Sequence, residues 1–214
     1  MNKVEAQSYR SIATEVFAPV YSSYANEIVA RTGIRSGYCL DLGSGAGHLC
    51  LALLQVASFH LFLLDHSWEM LPTAEERSFC VSKETITGIV LAEVQAIPLQ
   101  DSCVDLAISR GSVPFWSDLP VAFREINRVL KPGGCACILG GLGPPEMRKN
   151  IERQMRLRNP DWQKYRKRNI PHREPDQYAQ SLTLAGIHNF AVNRNDTGMW
   201  IEFRKLQSRN NTQA

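Results

Sequence analysis

The chain has 214 residues, 44% hydrophobic and 21% charged, with a formal net charge of +3. That is enough apolar material for a sizeable core in one domain of ordinary length, and the charge is too small to point by itself to a nucleic-acid partner. No apolar run approaches the ~18–20 residues of a membrane span, residues 1–10 lack a signal-peptide core, and the six cysteines form no C-x-x-C pair, so buried thiols in a reducing, cytoplasmic setting are the expectation.

From about Val4 to Arg31, apolar side chains recur at helical spacing through Ile12, Val16, Phe17, Val20, Tyr24, Ile28 and Val29. Pro19 is expected to kink or split this helix, and Gly33 and Gly37 to end it. The stretch from Tyr38 to Leu49 then runs from an apolar strand into Asp41, through Gly43, Gly45 and Gly47, and into a helical pattern. Strand, tight turn and helix open a nucleotide-binding α/β unit. Glycine serves where the turn needs backbone angles that a Cβ obstructs and where a ligand lies on the main chain. A dinucleotide fingerprint, G-x-G-x-x-G, is met by Gly43 and Gly45, but its third position is His48. Asp41 would repel a pyrophosphate and suits a ligand with a positive end. Both points argue against a nicotinamide-dependent oxidoreductase.

The second strand is expected at Phe59–Leu64, ending at Asp65, about 18 residues beyond Gly47 and near the spacing at which such folds place a ribose-binding acid. The alternative for Asp65 is a helix N-cap. Residues 72–84 are polar, and no helix is placed there. Ile86–Leu91 reads as the third strand and Val104–Ser109 as the fourth, with Arg110, Gly111, Pro114, Phe115 and Trp116 in the irregular loop after it. Leu119–Leu130 is amphipathic, with Pro120 in its first turn. Lys131-Pro132-Gly133-Gly134 then reverses the chain into the strand Cys135–Leu139, where Cys135 and Cys137 are expected to point apart. The segment 146–174 is rich in Arg and Lys, and two helices separated by Asn159-Pro160 are expected in it. A solvated helical face is the preferred account of such a charge run, and an anionic partner the alternative. Gln177–Ala185 reads as a helix, and His188–Val192 and Met199–Phe203 as a closing pair of strands.

The order of these stretches resembles the class I S-adenosylmethionine-dependent methyltransferases: Asp41-Leu42-Gly43-Ser44-Gly45-Ala46-Gly47, then Asp65 to Met70, Glu93 with Pro98, Asp105, and Lys131-Pro132-Gly133-Gly134. The loop Ser109–Trp116 and the run Asn159-Pro160-Asp161-Trp162 are most like small prokaryotic members. The resemblance implies an α/β fold: a Rossmann-like, doubly wound seven-stranded sheet, mostly parallel with an antiparallel C-terminal strand pair, in three αβα layers. It is expected to span residues 1–206, with an N-terminal helical cap (1–36), a basic helical insertion (144–175) and a polar tail (207–214).

The resemblance further implies S-adenosyl-L-methionine as cofactor. It would be held by Asp41, Gly43, Ser44, Gly45 and Gly47, by Asp65 at the ribose, by His66 and Met70 beside the adenine, by Glu93, Val94 and Gln95 at the adenine edge, and by Ser109 and Arg110. The family usually carries Asp where Glu93 stands; Gln95 is the nearest alternative. Tyr9, Tyr21 and Tyr24 either line the pocket or pack the N-terminal helix on the sheet. Tyr21, Gly111, Phe115 and Trp116 are the expected substrate walls. No catalytic residue is assigned: there is no Ser/His/Asp triad and no metal-ligand cluster, and none of the five histidines is expected to be catalytic. The expected function is methyl transfer to a small molecule. The alternatives are an RNA- or polyanion-binding protein acting through residues 148–173 and a cofactor-binding protein without catalysis.

Overall fold

A computed structural model describes residues 3–71, 85–170 and 172–207. The region 72–84, Cys80 within it, and the tail from 208 lie outside the described residues. In chain order the elements are α1 (Lys3–Glu15), α2 (Ala18–Thr32), β1 (Ser36–Leu42), α3 (His48–Leu53), β2 (Ser58–Asp65), β3 (Ile86–Leu91), β4 (Val104–Arg110), a 3₁₀ turn (Val113–Phe115), α4 (Leu119–Val129), β5 (Leu130–Gly140), α5 (Pro145–Arg158), α6 (Trp162–Asn169), α7 (Pro175–Leu184), β6 (Phe190–Asn195) and β7 (Gly198–Arg204). The expected N-terminal helix is split, with Pro19 in the first turn of α2, where its missing N–H costs nothing.

The strands form one sheet in the order β3-β2-β1-β4-β5-β7-β6. The first five are parallel; β7 runs antiparallel to both β5 and β6. The chain winds one way from β1 and the other way from β4, so the switch point lies at the C-terminal ends of these two neighbours. Ligands of open α/β sheets bind there. Because side chains alternate along a strand, β1 supplies Cys39 to one core and Leu40 and Leu42 to the other. The first core joins the sheet to α2, α3 and the apolar side of α5 and α6. The second joins it to α4 and α7. Cys135 and Cys137 both enter the first core. They do not point apart, because residues two apart on a strand share a face.

β5 begins earlier than expected. Leu130 already pairs with Val104 before a register shift, and regular pairing resumes at Cys135. Lys131 within this stretch holds Asp105 at 2.7 Å, while Asp105 also accepts from the Tyr38 amide at 2.8 Å. The Lys-Pro-Gly-Gly segment thus anchors the start of β1.

Asp118 caps α4 by accepting from Val121 N. Near the other end, Arg128 donates to Glu125, to Asp101 and to the carbonyls of Ile97 and Leu99. Glu125 in turn accepts from Ile97 N. This pair fixes the loop after β3, which carries Glu93, Val94 and Gln95. Arg128→Ala is expected to destabilise the protein by about 2 kcal/mol, through loss of its charge-assisted bonds to the loop carbonyls and to Asp101. A urea melt reads this as a lower midpoint at unchanged slope. No helix among the described residues is long and apolar enough to cross a membrane.

Candidate functional site

β1 delivers Asp41 to the switch point, and the glycine turn bends the chain away from it. Gly43, Gly45 and Gly47 have φ of +68°, +53° and +80°, in the left-handed region that glycine enters without strain. The turn is pinned across the sheet: the amides of Gly43 and Ser44 donate to the Leu64 carbonyl on β2 at 2.8 and 2.9 Å.

Asp41 is 2% exposed, and its Oδ2 is buried with no hydrogen-bond partner. Burial pushes its pKa up to about 7, the neighbouring Asp65 pushes the same way, and hydrogen bonds from Cys50 oppose them. Asp65, at the tip of β2, is 5% exposed. Its Oδ2 accepts from Gly45 N and its Oδ1 from Ser67 N, both at 3.0 Å. It therefore supports the glycine turn and caps its own turn at once. A carboxylate has about four lone-pair sites, so acceptor capacity remains for a diol. The two acids stand on adjacent strands, with the glycine turn between them.

β4 contributes Ser109 and Arg110. The hydroxyls of Ser109 and Ser112 lie 2.8 and 2.9 Å from the Leu42 carbonyl oxygen and 2.5 Å from each other, and Trp116 Nε1 donates to Ser112. Ser109 thereby ties the loop after β4 to the end of β1. Trp116 is 5% exposed and packs edge-on against Phe123 in the second core, not on the cavity. Phe115 is 61% exposed, and Gly111 is exposed with a φ of +77°.

The Arg110 guanidinium lies over the rings of Phe17 and Tyr21, 4.8 and 5.2 Å from their centroids. Its Nη2 donates to the Gly141 carbonyl, and its Nε is buried without a partner. A cavity lies between these groups, lined by Tyr9, Tyr21, Asp41, Gly43, Ser44, Gly45, Ala46, His48, Leu49, Met70 and Arg110. Its roof is the pair α1–α2. Arg10 bolts α1 to the chain beyond Asp65 through the carbonyls of Glu69 and Leu71. Tyr21 stacks on His48, and His48 Nε2 lies 3.0 Å from Thr14 Oγ1. Burial raises the Tyr21 pKa, and Arg110 opposes it. Tyr24 instead donates to the Thr197 carbonyl and accepts from Gly143 N, away from the lining. His48 is a lining residue that sequence reasoning set aside; its position directly after Gly47 was the available signal.

Met70 is buried against Gly45, with its Cε 3.2 Å from where a Cβ would lie. His66 is exposed, its Nδ1 3.4 Å from Asp65. Glu93 is exposed, and Val94 belongs to the second core. Gln95 donates to Ser117 at 2.6 Å, while its Oε1 is buried and unpartnered. Among the described residues no cluster of His, Cys, Asp or Glu fits a metal ion.

A family model described as a methyltransferase domain matches residues 40–138. A structure from Methanococcus maripaludis, assigned by its description as an S-adenosyl-L-methionine-dependent methyltransferase, is 36% identical and superposes with a TM-score of 0.85, covering 98% of this chain and 95% of that one. The chain belongs to the class I S-adenosylmethionine-dependent methyltransferases. Among curated relatives, the biotin biosynthesis bifunctional protein BioHC of Saccharophagus degradans is 33% identical over 65% of this chain and 25% of its own length. 2-methyl-6-phytyl-1,4-hydroquinone methyltransferase 2 of Oryza sativa is 32% identical over 49% of this chain and 29% of its own. The chain thus spans under a third of the length of these two curated relatives.

The cofactor of this methyltransferase family is S-adenosyl-L-methionine, and the cavity suits its amino-acid end. Two buried, unpartnered atoms of opposite charge, Asp41 Oδ2 and Arg110 Nε, belong to side chains lining one cavity. An α-amino-acid zwitterion complements both.

Proposed function

We propose that the protein is a methyltransferase acting on a small molecule, with S-adenosyl-L-methionine held across the glycine turn. The carrying observation is Asp41 Oδ2, a buried carboxylate oxygen left without a donor beside three left-handed glycines. Leaving such an atom unmet costs about 1–3 kcal/mol, and an ammonium group would satisfy it. In this reading Asp41 takes the ammonium, the turn at Gly43–Gly47 lies along the cofactor, Asp65 accepts from the ribose hydroxyls, and Met70 covers the adenine. Gln95 Oε1, rather than the exposed Glu93, is the acceptor for the adenine amino group.

When bound, the cofactor supplies a methyl group activated by a sulfonium. The chain's share is positioning and exclusion of water, which is where most of the acceleration of a displacement lies. The α1–α2 roof, with Tyr9 and Tyr21, covers one side of the cavity. A base is needed only if the acceptor arrives protonated.

Calorimetry tests the assignment. S-adenosylhomocysteine is expected to bind saturably with 1:1 stoichiometry, and NADH not at all. Heat from NADH alone overturns it. The competing reading, a polyanion-binding protein, rests on the basic helices α5 and α6. Lys149, Arg158 and Lys164 there already pair with Glu146, Glu15 and Asp161, which favours a solvated surface over an open basic groove.

A further inference from the structure

Arg110 ends β4, and its side chain is held from three directions. Nη2 donates to the Gly141 carbonyl, just beyond β5, at 2.9 Å. The guanidinium lies 4.8 Å from the centroid of the Phe17 ring and 5.2 Å from that of Tyr21. Both rings are buried, at 7% and 6% exposed. Phe17 is the N-cap of α2 and Tyr21 stands four residues on, with its amide donating to the Phe17 carbonyl. Residues four apart on a helix share a face, so α2 offers the cation two rings side by side. Nε of the same guanidinium is buried without a partner, in a side chain that lines the cavity with Asp41 and Tyr21.

A long side chain that becomes ordered only when ligand arrives weakens the complex by the freedom it loses. Arginine stacks on aromatic faces, and the attraction grows where water is excluded. Two rings and one carbonyl therefore set the guanidinium in place beforehand. Tyr21 has a second contact: it stacks on His48, directly after the glycine turn, with centroids 5.4 Å apart. One side chain of α2 thus bears on both the turn and the cation.

We propose that Tyr21 is a positioning residue for the cofactor: with Phe17 it clamps the Arg110 guanidinium so that Nε–H is left for the cofactor's carboxylate. This rests on the methyltransferase reading and deepens it, because a clamped arginine discriminates between the cofactor and its decarboxylated form. Specificity of this kind is a difference of two affinities, and it is the ring of Tyr21, not its hydroxyl, that maintains it.

The test compares S-adenosylhomocysteine with S-adenosyl-3-thiopropylamine, which lacks only the carboxylate, by calorimetry at pH 8, above the Asp41 pKa of about 7. The quantity read is the ratio of the two affinities. Effects on the glycine turn through His48 fall on both ligands alike and drop out of it, as does any inactive fraction of protein. The wild type is expected to prefer S-adenosylhomocysteine. Tyr21→Leu is expected to lower the ratio about 5- to 30-fold, and Tyr21→Phe to keep it. Arg110→Gln should remove the preference, and adding Tyr21→Leu to Arg110→Gln should not change the ratio further. An unchanged ratio in Tyr21→Leu overturns the proposal, as does a wild type without preference. So does a fall in Tyr21→Phe, which would assign the role to the hydroxyl, or a further fall in the Arg110→Gln background, which would show that Tyr21 does not act through Arg110. Should Tyr21→Leu not fold, Phe17→Leu decides in the same way: a lowered ratio supports the clamp and an unchanged one overturns it. If S-adenosylhomocysteine fails to bind the wild type, the methyltransferase reading falls instead. The Arg110 Nε–H resonance of the ligand-free protein, assigned by its loss in Arg110→Gln, then decides the clamp: merging with the solvent-exposed arginines in Tyr21→Leu supports it, and an unmoved signal overturns it.

Discussion

Asp41→Asn is expected to stabilise the cofactor-free protein and to cripple cofactor binding, two effects of opposite sign from one carboxylate. Without ligand, the folded protein holds Asp41 at a pKa of about 7, against an ordinary value of 3.8. An acid raised by folding favours the folded state while it is protonated in both states. Its cost therefore begins as pH rises past about 4, grows through the window to about 7, and is complete above it. A shift of this size sets an upper limit on the order of 4 kcal/mol. Asn carries no charge to desolvate, but its NH₂ meets the Cys50 donors badly, so about 1–2 kcal/mol should be recovered, seen as a rise in Tm of roughly 2–8 °C at pH 8 that fades toward pH 4.

Binding moves the other way. Removing one member of a buried ion pair costs about 2–4 kcal/mol, so the affinity for S-adenosylhomocysteine should fall roughly 30- to 1,000-fold. In the wild type the carboxylate must lose its proton to accept the ammonium. Affinity should thus weaken as pH falls below about 7, by up to about tenfold per unit, and the Asn variant should lose that dependence. A variant that binds as tightly as wild type across this range would remove Asp41 from the ammonium and with it the central contact of the proposed site.

Most of this arrangement is local and was readable in the chain. Apolar runs ending in acids mark β1 and β2. Pro19 splits the first helix, and Asn159-Pro160 separates α5 from α6 because proline cannot continue an i→i−4 ladder. Glycine at alternate positions signals the turn, since only glycine enters those angles freely. What could not be read depends on which way a loop folds over the sheet. Trp116 looked like a substrate wall, because an aromatic residue in a Pro- and Gly-bounded loop at the switch point is placed for it. Its indole instead turns to the opposite face, where Ser112 and Phe123 receive it. No spacing rule distinguishes the two faces for a residue outside regular structure. His48 was set aside for a related reason. Its surroundings, Thr14 and Tyr21, come from residues distant in sequence. Nor does periodicity say how α5 seats on α1 through Arg158 and Glu15.

Gly43→Ala should destabilise the fold far more than Gly45→Ala, although both glycines lie in the same turn. At Gly43, a Cβ would stand 2.3 Å from Ser112 Cβ and 2.8 Å from its Oγ. Ser112 cannot simply yield. Its hydroxyl is held among Leu42 O, Ser109 Oγ and Trp116 Nε1, so moving it breaks the contact between β1 and the loop after β4. The left-handed angle adds about 1–2 kcal/mol for any residue with a Cβ, and each disturbed buried bond about 1 kcal/mol more. The sum is about 3–5 kcal/mol, or a fall in Tm of roughly 6–20 °C. At Gly45 the nearest atom is the Met70 methyl at 3.2 Å, the far end of a flexible side chain. There the backbone angle dominates, and the fold should lose only about 1–2 kcal/mol, while the added methyl intrudes on the face where the cofactor is proposed to lie. The two variants should therefore separate in thermal melts and in calorimetry, Gly43→Ala failing chiefly in the first and Gly45→Ala chiefly in the second. Combining Gly43→Ala with Ser112→Gly removes the collision. The pair should be more stable than the sum of its single costs by about 1 kcal/mol or more. Strict additivity would show that the collision is relieved elsewhere and that the Ser112 network does not set the position of the turn.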